Sequence, residues 1–106
     1  MNSSTLDIIQ KQAQDCAANK RLSFYEDLAP ELSYSRQIFF DHPIILRCCE
    51  DVLPFLNDEP RHGIKHAKNV AIESGAIILA ESFHRDQEWS RHFVILAHIA
   101  GLLHDI

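Results

Sequence analysis

Glycine and proline are scarce in this chain of 106 residues, with three and four copies respectively. So few turn-formers, beside 46% hydrophobic residues, exclude a low-complexity or disordered chain and favour long helices in a compact one. There is room for one domain and a single core. Cysteine is also sparse: Cys16, Cys48 and Cys49 are odd in number and never spaced C-x-x-C. That excludes a disulfide framework and leaves reduced, partly buried thiols of a cytosolic protein as the expectation. Positive charge is in deficit, ten Lys+Arg against fifteen Asp+Glu. A net charge of −5 disfavours a general nucleic-acid coat or an anionic-membrane binder. It leaves open a small phosphorylated ligand, because a bound cation inverts the local field. The longest apolar run, "FVILAHIAGLL", is about half the roughly 20 residues that span a bilayer. The start, "MNSSTLDIIQKQ", lacks the order of a signal peptide, so a soluble, cytoplasmic protein is expected. G-x-x-x-x-G-K, G-x-G-x-x-G and G-x-S-x-G are all missing. Their absence removes the common nucleotide-binding loops and the serine-hydrolase elbow.

What is present reads as all-α, a bundle of about five helices in one domain over 1–106. The N-terminal helices fill 1–58 and a long hairpin fills 60–106. Ser3 or Ser4 can cap a first helix that would carry Leu6, Ile9, Ala13 and Cys16 towards a core. "NKRLSFYEDLAP" reads as a break, extended or briefly helical, and Pro30 suits the first turn of a second helix. Asp41 is a candidate cap for a third helix from Pro43, which Pro54 should kink or end. "NDEP" signals a turn. Two long helical patterns follow, "RHGIKHAKNVAIESGAIILAESF" and "QEWSRHFVILAHIAGLLHD". Only about "HRD" lies between them, so they should form an antiparallel hairpin.

The hairpin places chemistry. With its turn near residue 85, His66 lies 19 residues before it and His104 lies 19 after it. At about 1.5 Å of rise per residue, both sit roughly 28 Å from the turn, level with each other. Two imidazoles from two helices meeting at one height is what a metal site between helices requires. Asp105 can join them at the helix end, giving a mixed N/O donor set for a hard or borderline divalent ion. Ser74 and Gly75 on one helix, and Ala97, Ala100 and Gly101 on the other, should let the two approach closely. The apolar face of 93–103 predicts that the last helix is central and largely enclosed.

These residues resemble the HD-domain superfamily of metal-dependent phosphohydrolases. The likeness lies in His66 approached by Gly63-Ile64-Lys65, in Val70, and in "ILAHIAGLLHDI" delivering a His104–Asp105 doublet. It covers about the last 45 residues. The resemblance implies an all-α fold and a divalent ion (Mn, Mg, Fe, Zn, Co or Ni) held by His66, His104 and Asp105. It further implies hydrolysis of phosphomonoesters, phosphodiesters or nucleotides, with a small phosphorylated or nucleotide substrate. Such an ion acidifies water and draws charge from phosphoryl oxygens; Asp105, the catalytic candidate, would be a ligand first and a handle on that water second. The family pattern continues to a further aspartate on a later helix, whereas the sequence ends at Ile106. The expectation is therefore a shortened domain with impaired activity and uncovered apolar surface that favours a homo-oligomer. The alternative is a non-catalytic helical regulatory or dimerisation domain of the same superfamily.

Other residues carry less. His62 and His66 stand four apart, but Gly63 occupies the place of the zinc-protease glutamate, so His62 fits the first turn beside the site. His98 lies about 240° around the helix from His104 and reads as a core histidine, with lining of the cleft as the alternative. Arg61, Lys65 and Lys68 would by default be a solvated face, yet they lie where a phosphate would need cations. Asn69 reads as solvent-facing, and Trp89 with Phe93 as packing. His42, His84 and His92 suggest no role.

Overall fold

The computed structural model describes residues 3–56 and 63–106, with side chains for all of these except residues 3 and 18–22. Five α-helices occur in them: α1 (Ser3–Asp27), α2 (Ala29–Asp41), α3 (Pro43–Val52), α4 (Ile64–Glu81) and α5 (Gln87–Leu103). A single 3-10 turn, Leu53–Phe55, follows α3, and no strand occurs among the described residues. The fold is all-α, as the composition implied. The expected turn at "NDEP", and the expectations for Arg61 and His62, lie outside the described residues.

The helix ends follow local chemistry. Pro30 stands in the first turn of α2, where its missing N–H costs nothing. α3 is capped by His42 and not by Asp41: the imidazole Nδ1 accepts from the Ile44 amide at 3.3 Å. Asp41 remains the last residue of α2, one position too early to cap the next helix. Pro54 sits in the 3-10 turn that ends α3. Asp86 caps α5, its carboxylate accepting from the Trp89 amide at 2.7 Å.

The N-terminal third departs from expectation. α1 runs unbroken to Asp27, so "NKRLSFYED" is helix and the break falls at Leu28 alone. Nor does α1 feed a core, since Leu6, Ile9, Ala13 and Cys16 are all exposed. It touches the bundle near its C-terminal end, where the Tyr25 hydroxyl donates to the Glu73 carboxylate.

The core lies between two layers, the α2–α3 corner and the α4–α5 hairpin. Phe39 and Ile45 from the first layer meet Ala67, Ala71, Ile72 and Leu102 from the second, all essentially buried. Close approach within the hairpin rests on Gly101, where an added Cβ would lie 2.6 Å from Cα of Ala71. Gly75 makes room instead for Ser35 and His98. Ala100, expected at the helix contact, faces solvent. So do Phe93, Leu96 and Leu103, which leaves one strip of α5 uncovered. The last helix is central but not enclosed.

Candidate metal centre

The hairpin aligns its two open ends as the equal-arm spacing predicts. α4 stops at Glu81 and α5 starts at Gln87, so the turn is centred on residue 84. Two serines clasp that turn: Ser82 Oγ donates to the Ile78 carbonyl at 2.5 Å, and Ser82 and Ser90 hydroxyls lie 2.9 Å apart. With the turn fixed, His66 in the first turn of α4 falls opposite His104 just past the end of α5. The two imidazole rings are 5.4 Å apart between centroids.

Asp105 joins them. Its Oδ2 lies 3.1 Å from His104 Nε2 and 3.8 Å from His66 Nε2. One potential ligand atom from each of the three residues falls within 4.8 Å of the others. An ion bound at about 2.1 Å needs donors roughly 3 to 4 Å apart, so the cluster has to draw in by about 1 to 2 Å. Both imidazoles and the carboxylate are partly open to solvent, with side-chain exposures of 38%, 34% and 21% for His66, His104 and Asp105. Solvent can therefore reach the donors.

The strongest chemical indication is the orientation of the His104 ring. Its Nδ1 lies 2.5 Å from the Gly101 carbonyl. A carbonyl can only accept, so Nδ1 donates to it, and Nε2 is the ring nitrogen turned towards Asp105 and His66. Metal-bound histidines are commonly oriented in this way, by donation of the remote N–H to a backbone carbonyl. Gly101 thus brings the helices together and orients the His104 ring, a second role that its small size alone does not announce. The signal was available: a carbonyl three residues before a histidine at a helix end is in reach of its ring.

The remaining candidates separate clearly. Lys65 is exposed beside His66. Lys68 is half-buried and turned towards α3, where its charge opposes the burial that pushes the Cys49 thiol up. Asn69, His84 and His92 are exposed. Trp89 and Phe93 stack with centroids 4.3 Å apart.

His98 is fully buried, as a core histidine should be, and stands outside the cluster. Ser35 Oγ donates to the Ile72 carbonyl at 2.8 Å and lies 2.8 Å from His98 Nε2. The serine proton being committed, His98 Nε2 carries the other and donates to Oγ. Nδ1 is buried with no partner among the described residues. Burial, helped by nearby His42, pushes the His98 pKa down to about 4. It stays neutral and pins α2 to the hairpin.

Compared with family models, curated proteins and solved structures, the chain matches none.

Proposed function

We propose that the chain is a metal-dependent phosphohydrolase domain of the HD type, with His66, His104 and Asp105 holding a divalent cation. The observation that carries the reading is the convergence of these three side chains, with His104 Nε2 aimed into the cluster by the bond from Nδ1 to Gly101. Two nitrogens and one carboxylate suit a borderline or hard divalent ion better than a thiolate-seeking one, and the half-buried thiols lie outside the cluster.

Bound there, such a cation supplies positive charge to phosphoryl oxygens and makes water acidic near neutral pH. His66 and His104 hold it from opposite helices. Asp105 touches both imidazoles through one oxygen, so it can orient water and accept its proton at the cluster's open side. Lys65 adds a nearby positive charge where an anionic substrate would arrive. Three protein donors leave several coordination positions for water and substrate.

The test is hydrolysis of generic phosphomonoester, phosphodiester and nucleotide substrates with added Mn, Mg or Co. Divalent-dependent turnover should disappear in His104→Ala and Asp105→Asn. Turnover indifferent to both substitutions would remove this mechanism.

A second reading draws on a separate observation. Phe93, Leu96 and Leu103 expose an apolar strip along α5, 37%, 45% and 46% accessible. A non-catalytic dimerisation domain of the same superfamily would cover that strip with a second copy. No divalent effect on melting, together with a dimer in light scattering, would favour it.

A further inference from the structure

The end of the hairpin remote from the metal cluster carries a second feature of interest. A cleft of about 180 Å³ opens between α2 and the α4–α5 turn, with Tyr34, Phe83, Arg85, Gln87 and Arg91 at its mouth. It has room for about six waters at about 30 Å³ each. The chain has five more acids than bases, yet no carboxylate lines this cleft and two guanidiniums do. The contrast with the groove between α3 and α5 is informative, because there Arg47 shares the lining with Asp51.

We propose that this cleft binds the phosphate group of a small molecule. Among the described residues neither Arg85 nor Arg91 takes part in an ion pair, so both forks are free to bind. Arg85 is held in place without losing its donors. Its backbone amide bonds the Ser82 carbonyl at 2.9 Å, and its guanidinium lies over the Trp89 ring, 4.9 Å from the centroid. Stacking occupies the face of a guanidinium and leaves the N–H groups along its edge open. At the same end the Asp86 carboxylate already accepts from the Trp89 amide and Glu88 stands in the first turn, so the two guanidiniums, and not the helix dipole, supply the attraction. A carboxylate offers two oxygens, enough for one fork. A phosphate offers three, enough for two forks on different elements. Phe83, 86% exposed beside the arginines, supplies a ring face for an apolar or aromatic group carried by the phosphate.

The site does not depend on the proposed metal chemistry: Arg91 lies 13 residues before His104, about 20 Å along the helix. It would serve an effector and not the hydrolysed substrate. The chain has one tryptophan, Trp89, and it sits under Arg85, so its emission reports on the cleft directly. Inorganic phosphate titrated at constant ionic strength should change that emission saturably. Arg91→Gln, which leaves the stack intact, should weaken binding by about tenfold or more. Asp105→Asn should leave it unchanged. Phenyl phosphate distinguishes the source. Tighter binding than phosphate, lost in Phe83→Ala, assigns the site to ring-bearing phosphate esters; equal binding assigns it to the free ion. Failure of both to saturate, a response matched by chloride, or unaltered affinity in Arg91→Gln would overturn the proposal.

Discussion

At the scale of single residues, two histidines, one inside α5 and one just past its end, take opposite fates through their hydrogen-bond partners. His104 donates from Nδ1 to a carbonyl and turns Nε2 towards Asp105 at the solvent-accessible cluster. His98 gives its Nε2 proton to Ser35 and buries the other nitrogen. The second arrangement has a consequence for acid stability. An unfolded histidine binds a proton near pH 6.5, whereas His98 in the fold resists until about pH 4. Between those values the unfolded chain binds more protons, so stability falls as pH falls. The contribution is complete above about pH 6.5 and amounts to roughly 3 kcal/mol lost by pH 4. Urea denaturation across this window should show that slope. The double variant Ser35→Ala/His98→Leu should flatten it, and an unchanged slope would contradict the assignment.

At the scale of elements, the α4–α5 hairpin was legible because its turn is short and its arms are equal in length. Register follows from counting once both helices are recognised, and His66 with His104 follows from register. What escaped the sequence depended on partners distant along the chain. Leu6 and Ile9 have the spacing of a buried face, but no element packs over that part of α1. Asp41 is a better cap by type than His42, yet cap identity is decided by where the preceding helix stops. The exposed face of α5 was misjudged for the same reason: apolar spacing tells that a helix can be covered, not that it is. Gly101 offers an element-scale prediction. An added methyl would meet the Ala71 backbone, which cannot swing aside as a side chain would. Gly101→Ala should cost about 2 kcal/mol despite its better helix propensity. It should also push His104 away from His66, weakening divalent stabilisation beyond what the stability loss explains. Melting curves with and without Mn would show both effects; a stabilised variant would refute the close packing.

At the scale of the molecule, the shape is extended. The radius of gyration is 16.6 Å, against roughly 13 Å for a compact chain of this length. The excess comes from α1, which is exposed from Ser4 through Ala17. Deleting residues 1–17 should therefore move the melting temperature by no more than a few degrees, and a collapse of the fold would show that α1 stabilises more than its contacts suggest. No helix among the described residues is long and apolar enough to cross a membrane, and the apolar strip of α5 lies open on the surface. If a second copy covers it, Leu96→Glu should convert a concentration-dependent dimer into a monomer in light scattering, without loss of helicity. The cluster at the mouth of the hairpin remains the functional centre of this account. Its most direct test is a titration with Co(II), whose visible absorption reports the donor set. One equivalent should bind with nitrogen-rich visible bands, and His66→Ala or His104→Ala should each abolish them. Absence of binding, or bands that survive both substitutions, would contradict a shared ion.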